Sequence, residues 1–216
     1  MNGDGPVVYL VDDDPSILKG ITRLLGAAGL RTKPFRSPRA FLDEHDASQP
    51  GCIVLDLSMP ELSGLDLQQM LASTNKTRPI VFISGRDDVP ASVSAMKAGA
   101  SDFLTKPIDG EVLLGAVRKA IEKDRSNRED GARLQDLEKR LYRLTLRERQ
   151  VLEGVVCGQL NKQIGIELGI VEKTVKVHRS RVMSKLGVRS VVELMQLAGE
   201  LGLAPLFNYR GQKRVL

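Results

Sequence analysis

The first half of the chain alternates short apolar segments with longer segments of helical periodicity, and this alternation strongly constrains its fold. The candidate strands are residues 7–11, 31–35, 52–56, 80–84 and 102–105. The candidate helices are residues 15–28, 38–45, 64–73, 88–98 and 109–122. Apolar strands in this arrangement must be covered on both faces, which predicts a doubly wound parallel α/β domain. In such domains the functional groups gather at the carboxyl ends of the strands.

The second half contains helical patterns without candidate strands. Residues 123–143 are polar and dense in charge, which predicts an interdomain linker that is helical in its second half. Its leucines cover only about two heptads, so a coiled coil is a less favoured alternative. Four helical segments follow, at 146–157, 161–168, 172–186 and 190–202. We predict domains at 1–122 and 144–203, with the linker at 123–143 and a tail at 204–216.

Charge is distributed unevenly along the chain. Residues 1–122 contain 13 basic and 16 acidic side chains, whereas residues 144–216 contain 12 and 6. An acidic first part joined to a basic last part favours a sensor or enzyme attached to a module that binds a polyanion. Random variation of surface charge is the alternative.

Several classes of protein are excluded by composition. No apolar run approaches the roughly 18 residues of a membrane span, and the first residues lack an export signal, so we expect a cytoplasmic protein without a membrane partner. Two cysteines far apart, Cys52 and Cys157, exclude a disulfide scaffold and are expected to be buried thiols. Two histidines exclude a His-rich metal site.

Carboxylates follow two of the candidate strands. Asp12, Asp13 and Asp14 come directly after the first strand, and Asp56 ends the third. If these strands are neighbours, the carboxylates converge, and such a cluster requires either protonation or a cation. Hard oxygen ligands of this kind suit Mg²⁺.

A hydroxyl and an ammonium complete this edge of the sheet. Ser84 ends the fourth strand and Lys106 follows the fifth. With a divalent ion, these groups can hold a phosphoryl group on Asp56, because phosphoryl transfer depends on positioning and charge neutralisation. Taken singly, each residue is better explained as a turn, a cap or a solvated charge. Their joint placement at four strand ends is what favours the functional interpretation.

Residues 6–122 resemble the receiver domain of two-component response regulators. The resemblance rests on the motifs VVYLVDDDPS, CIVLDLSMPELSGLDL, VFISGRDD and AMKAGASDFLTKP. It implies a flavodoxin-like (CheY-like) five-stranded parallel sheet of order 2-1-3-4-5, with Asp56 as phosphoacceptor for a sensor histidine kinase. The ligands it implies for Mg²⁺, which Mn²⁺ can replace, are Asp12, Asp13, Asp56 and the backbone carbonyl of Ser58.

The same resemblance assigns the remaining receiver positions. Lys106 binds the phosphoryl group, the Lys106-Pro107 peptide bond is cis, and Ser84 and Phe103 form a switch. Phosphorylation would draw Ser84 inward and let Phe103 rotate into the vacated space. A permanently buried Phe103 is the alternative.

Residues 144–203 resemble the helix-turn-helix domain of the LuxR/FixJ group of transcription regulators. The blocks NKQIGIELGI and EKTVKVHRSRVMSKLGV carry this resemblance, and the two halves together resemble a FixJ-type response regulator. Within 172–186, Val175, Val182 and Leu186 fall on one apolar face, so the opposite face is expected to enter a major groove. A solvated basic face without a nucleic-acid partner is the alternative.

The candidate DNA contacts form two chemical groups, one suited to base edges and one suited to phosphates. Lysine can read guanine acceptors and valine can meet a thymine methyl, whereas the other polar and basic groups suit phosphates. The candidates for base edges are Lys176, Val177 and Ser180, and those for phosphates are Asn161, Lys162, Lys173, Thr174 and Arg181.

These observations predict a transcription regulator controlled by phosphorylation. The expected partners are a sensor histidine kinase, promoter DNA, RNA polymerase and a second copy of the chain, bound on phosphorylation or on DNA. The apolar helix 190–202 is a candidate dimer surface. An aspartate-dependent phosphohydrolase is a weaker alternative, because Ser58 stands where that class needs a second acid. A receiver that no longer signals is also disfavoured, since every site residue is present. We therefore expect no enzymatic activity beyond chemistry on its own aspartate.

Overall fold

The computed structural model describes residues 5–73, 78–85 and 89–202, and within these ranges it contains five strands and nine helices. The strands are β1 Val7–Val11, β2 Arg31–Phe35, β3 Gly51–Asp56, β4 Ile80–Ser84 and β5 Asp102–Thr105. The helices are α1 Pro15–Ala27, α2 Pro38–Glu44, α3 Gly64–Ala72, α4 Val89–Lys97, α5 Gly110–Tyr142, α6 Leu146–Val156, α7 Asn161–Leu168, α8 Glu172–Leu186 and α9 Val191–Glu200. Two compact units comprise residues 1–128 and 129–216. The predicted tail at 204–216 lies outside the described residues.

The first unit is built on a parallel sheet of order β2-β1-β3-β4-β5, which confirms the predicted doubly wound fold. All residues of β1, β3 and β4 are buried, because helices cover both faces of these central strands. Side chains alternate between two cores, so that Phe82 packs on one face of β4 and Ile83 on the other. This topology brings the carboxyl ends of β1 and β3 side by side.

The long helix α5 corrects the predicted helix end at residue 122 and the expectation of only partial helicity in 123–143. The helix continues to Tyr142. Pairs spaced four residues apart, Asp124–Arg128 and Asp136–Arg140, stabilise its polar part. Gly131 lowers helix stability by about 1 kcal/mol, which is too little to interrupt the helix when these pairs and neighbouring turns support it.

The second unit is helical and has its own core. In α8, Val175, Val182 and Leu186 are buried as predicted, and they pack in one cluster with residues of α6, α7 and α9. Gly169 ends α7 in the left-handed conformation, with a φ of 66°, which glycine adopts without a steric penalty. This glycine makes the tight turn between α7 and α8.

The two cysteines differ in environment. Cys52 is fully buried and its burial raises the pKa of the thiol to about 12. The expectation that Cys157 is buried is wrong, because it lies at the end of α6 and is exposed. Among the described residues, helices of sufficient length and hydropathy to cross a bilayer are absent.

Candidate functional site

Two carboxylates are buried together at the carboxyl edge of the sheet. Asp12 follows β1 and is 3% exposed, and Asp56 ends β3 and is 5% exposed. Backbone amides orient both side chains: Asp14 N donates to Asp12 Oδ1 at 2.8 Å, and Ser58 N donates to Asp56 Oδ2 at 2.7 Å. Asp14 itself caps α1 by accepting from the backbone of Ser16 at 2.7 Å. The tripeptide of aspartates therefore contains a helix cap as well as a site carboxylate.

The Lys106 ammonium joins the two carboxylates. Its Nζ donates to Asp56 Oδ1 at 2.6 Å and to Asp12 Oδ2 at 3.1 Å. Burial disfavours the charge on Lys106, but the hydrogen bonds to Asp56 and Asp12 and the negative charges of these two residues together outweigh this effect and raise the pKa of Lys106. Burial also raises the pKa of Asp12, against the opposing hydrogen bonds from Asp14 and Lys106. The Lys106-Pro107 peptide bond is cis, as predicted.

The oxygen donors at this edge have the chemistry of a magnesium site. In their ionised forms, Asp12 and Asp56 carry two negative charges, whereas Lys106 carries one positive charge. Asp13, the next residue after Asp12, is exposed. This excess of hard oxygen ligands fits a divalent cation that retains several waters. Within residues 5–73, 78–85 and 89–202, however, no group of three or more His, Cys, Asp or Glu side chains is already arranged around a metal position.

The two predicted switch residues lie on neighbouring strands. Ser84 ends β4 with 2% exposure, and its backbone oxygen accepts a hydrogen bond from Lys106 N at 2.7 Å. Phe103 lies on β5 opposite Phe82, and the two ring centroids are 6.2 Å apart. Phe103 is partly buried and packs against the core cluster that contains Phe82.

Helix α8, which follows the tight turn after α7, carries the second candidate site. The exposed side of α8 carries four of the predicted DNA contacts, and Thr174 at its edge is half-buried. The four exposed contacts are Lys173, Lys176, Val177 and Ser180. Arg181 and Lys162 are also exposed, so this unit presents a basic surface that surrounds an apolar side chain.

Two predicted contacts already have partners within the protein. Lys176 Nζ lies 3.1 Å from the Glu172 carboxylate on the exposed face of α8. Asn161 Oδ1 accepts from Arg179 Nη1 at 3.1 Å, which joins the start of α7 to α8. An exposed ion pair contributes about 0–1 kcal/mol, so Lys176 can exchange Glu172 for another acceptor at small cost.

Sequence reasoning missed the contacts that hold α8 in place. Lys185 Nζ donates to the buried Glu148 carboxylate at 2.6 Å, and Arg140 Nη1 donates to the carbonyl of Leu186 at 3.1 Å. A lysine in the last turn of a helix, such as Lys185, can be recognised in the sequence as a residue that stabilises the helix end. Its partner Glu148 lies on α6, too far away in the sequence to be identified from the pattern. These contacts fix the C-terminal end of α8.

Comparison with known proteins identifies both units. The response regulator receiver domain family matches residues 8–118, and the family of bacterial regulatory proteins of the luxR type matches residues 142–198. The response regulator protein TmoT of Ectopseudomonas mendocina is 45% identical over 93% of this chain and 91% of its own length. The transcriptional regulatory protein FixJ of Azorhizobium caulinodans is 40% identical over 92% of this chain and 94% of its own.

A solved structure supports the same relationship. The response regulator StyR is 42% identical and superposes with a TM-score of 0.79, covering 90% of this chain and 98% of that one. The chain therefore belongs to the two-component response regulators that control transcription, in which a receiver domain is followed by a LuxR-type DNA-binding domain.

Proposed function

We propose that a sensor histidine kinase phosphorylates this response regulator on Asp56, and that the phosphoryl group controls its dimerisation and its binding to promoter DNA. The observation that carries the proposal is the Lys106 ammonium, held between the buried carboxylates of Asp12 and Asp56. A cation at this position neutralises charge on a phosphoryl group attached to Asp56.

The proposed reaction transfers a phosphoryl group between two side chains. A carboxylate oxygen of Asp56 attacks the phosphorus of the kinase phosphohistidine, the P–N bond breaks, and the histidine nitrogen recovers a proton. Lys106 neutralises the phosphoryl oxygens and Ser84 donates a hydrogen bond to one of them. Water would later hydrolyse the acyl phosphate and release inorganic phosphate. Phosphotransfer to Asp56 and this dephosphorylation would be the chain's only chemistry, both confined to its own aspartate.

Mg²⁺, or Mn²⁺ in its place, fits the donor set at this edge. The residues proposed to hold it are Asp12, Asp13, Asp56 and the backbone carbonyl of Ser58. When bound, the ion supplies charge neutralisation at the transferring phosphoryl group. The protein orients the acceptor itself, because Ser58 N already bonds one oxygen of Asp56.

The signal is proposed to spread through Ser84 and Phe103. A phosphoryl group adds charge and strong acceptors, so Ser84 moves toward it and Phe103 rotates into the space beside Phe82. This alters the face formed by α4, β5 and α5. Two couplings remain as alternatives: the altered face promotes a homodimer, or it releases a masked α8. Either must supply a free-energy difference of about 1–3 kcal/mol between the states.

The proposed output is sequence-specific binding of α8 in the major groove. Lys176, Val177 and Ser180 are assigned to base edges, and Lys173 and Arg181 are assigned to phosphates. Residues 1–122 and 144–203 are the proposed functional domains, with RNA polymerase as a further partner. Because the proposed target is promoter DNA, we place the protein in the cytoplasm.

The phosphoacceptor is tested with a small phosphodonor or with beryllofluoride, which stands in for the phosphoryl group. Asp56→Asn should abolish labelling, whereas Asp43→Asn, on the exposed side of α2, should label normally. Persistent label on the Asp56 variant would move the acceptor elsewhere.

Sedimentation with Mg²⁺ separates the two couplings. A monomer-to-dimer shift on adding beryllofluoride, lost in Asp56→Asn, supports control by dimerisation. Demonstrated binding without a shift supports release of α8 or dimerisation on DNA only.

Base reading is tested by comparing a specific operator with random DNA. Lys176→Ala should weaken operator binding by about 1–3 kcal/mol, and more than it weakens random DNA. Lys173→Ala should weaken both equally. Equal losses for Lys176→Ala would make it a phosphate contact as well.

A further inference from the structure

Helix α8 contains a single acidic side chain among several basic ones. The acid is Glu172, the first residue of the helix, and the lysines and arginines are Lys173, Lys176, Arg179, Arg181 and Lys185. Glu172 is exposed. A carboxylate repels the phosphates that the neighbouring cations attract, so its presence opposes the general attraction of this helix to DNA. The DNA contacts proposed for α8 include no role for this residue.

The Glu172 carboxylate is paired with the ammonium of Lys176, one helical turn later. Its Oε1 lies 3.1 Å from Lys176 Nζ, and the side chains of the glutamate and the lysine are 47% and 64% exposed. The glutamate precedes the lysine by four residues, which is the favourable order for such a pair on a helix. The two charges therefore cancel at the surface of α8 where Lys176 is proposed to meet DNA.

A carboxylate at the first position of a helix also has a structural effect. It interacts favourably with the partial positive charge of the helix N-terminus, and Val171, the N-cap of α8, makes no side-chain capping bond there. This interaction stabilises α8 whatever DNA is bound, so its loss would weaken binding to every sequence. Neutralisation of Lys176 has the opposite sign, because its loss would strengthen the attraction to phosphates. The two roles of Glu172 are therefore separable by experiment.

The pair presents hydrogen-bond donors without net charge. A lysine ammonium has three N–H groups, so two remain available when one is directed at Glu172. Phosphates are attracted by net charge, whereas guanine N7 and O6 are uncharged acceptors in the major groove. A neutralised lysine is consequently attracted only weakly to phosphates but can still donate to guanine.

We propose that Glu172 increases the sequence specificity of α8 by neutralising Lys176. This lysine then contributes to binding at a guanine of the operator and contributes little at other sequences. Glu172 is thus a positioning residue that acts through Lys176 and lowers the affinity for non-specific DNA. The proposal rests on the proposed function, in which Lys176 reads a base edge.

The test compares two duplexes of equal length and composition: an operator selected by the wild-type chain from a random pool, and a scrambled version of it. The full chain is titrated with each duplex in Mg²⁺ and beryllofluoride. Glu172→Gln keeps the size of the side chain and removes its charge. The Kd for the scrambled duplex should fall about two- to fivefold, because an exposed ion pair changes an equilibrium constant by up to about this factor. The Kd for the operator should change less.

The salt dependence supplies a second measurement. In Glu172→Gln, Lys176 becomes free to contact a phosphate, so the slope of log Kd against log salt for the scrambled duplex should steepen by about 0.9. Glu153→Gln removes the same charge from the exposed side of α6 and should leave the ratio of the two Kd values unchanged. Combining Glu172→Gln with Lys176→Ala should abolish the gain on scrambled DNA.

Three results would overturn the proposal. A gain that persists without Lys176 would mean that Glu172 repels phosphates directly, and weaker binding of both duplexes by Glu172→Gln would mean a structural role at the start of α8. Loss of a preference for cytosine in a pool selected by Glu172→Gln would make Glu172 a base contact itself. Failure of the proposed function gives a different result, because Lys176→Ala alone would then leave the ratio of the two Kd values unchanged.

Discussion

The Glu148–Lys185 ion pair should stabilise the DNA-binding unit in a pH-dependent way. Glu148 is 3% exposed, and its Oε2 accepts from Thr145 N at 2.8 Å and from Lys185 Nζ at 2.6 Å. Lys185 also donates to the carbonyl of Arg143 at 3.0 Å. One carboxylate thus caps α6 and secures the last turn of α8. We predict that Glu148→Gln, which keeps the size and a carbonyl acceptor, lowers the stability of this unit.

The size of the effect follows from the pKa of Glu148. The hydrogen bond from Lys185 and the backbone bond from Thr145 lower that pKa from 4.5 to about 2. This corresponds to an upper limit of about 3.5 kcal/mol, since each unit of pKa is worth about 1.4 kcal/mol. Lys185 is 35% exposed, so water screens part of the interaction and we expect a loss of about 1–2 kcal/mol at pH 7.

The pH dependence has a definite sign. The pKa is lower in the folded state, so the stabilisation is fully present above pH 4.5 and is lost as the pH falls toward 2. The glutamine of the variant cannot ionise, so the variant's stability lacks this pH-dependent contribution. The stability difference between the wild type and Glu148→Gln should therefore be constant above pH 5 and shrink between pH 4.5 and 2.

Hydrogen exchange of the buried α8 amides, such as that of Val182, measures this difference locally, even if the two units unfold separately. Glu153→Gln, on the exposed side of α6, is the matched control and should change exchange little. Equal protection in wild type and Glu148→Gln at pH 7, or a difference that stays constant down to pH 3, would refute the assigned role of the pair.

Three further substitutions test packing. Gly187→Ala should destabilise the second unit by about 1–2 kcal/mol in thermal unfolding, because Gly187 has a φ of 74° and an added Cβ would lie 2.5 Å from Arg140 Nη1. Leu194 is fully buried, so Leu194→Ala should lower the free energy of unfolding by about 2–5 kcal/mol in urea denaturation. A smaller loss would mean that the core relaxes to fill the space left by the deleted side chain. Gly64→Ala would place a Cβ 2.4 Å from the backbone oxygen of Asp56, so labelling by a small phosphodonor should fall, and unchanged labelling would show that the loop can move.

The elements of the fold were predictable to within two residues at most boundaries, because apolar periodicity reflects burial directly. The C-terminal end of α5 was not predictable in this way. Its polar composition is typical of a linker, whereas its continuation depends on pairs such as Asp136–Arg140. The environment of Cys157 was also misjudged, since an apolar neighbourhood in sequence does not determine which side of a helix end is exposed.

In the candidate site, too, the placement of residues at strand ends was predictable from the sequence, whereas their side-chain contacts were not. The convergence of Asp12 and Asp56 follows from their places after β1 and β3, which are neighbouring strands. That Lys106 bonds both carboxylates could not be deduced, because it depends on the path of the chain after β5.

The position of Lys106 suggests how the proposed phosphorylation is coupled to the rest of the receiver. Its ammonium has one close partner at 2.6 Å on Asp56 and a longer one at 3.1 Å on Asp12. Once Asp56 is converted to an acyl phosphate, its own carboxylate charge is lost and the new charge lies on phosphoryl oxygens further from β3. Lys106 must then follow these oxygens, since an unpaired ammonium at a partly buried site is costly. Because Lys106 N also bonds the backbone oxygen of Ser84, this movement acts directly on the end of β4. The lysine therefore connects charge at Asp56 to the proposed switch through its side chain and its backbone together.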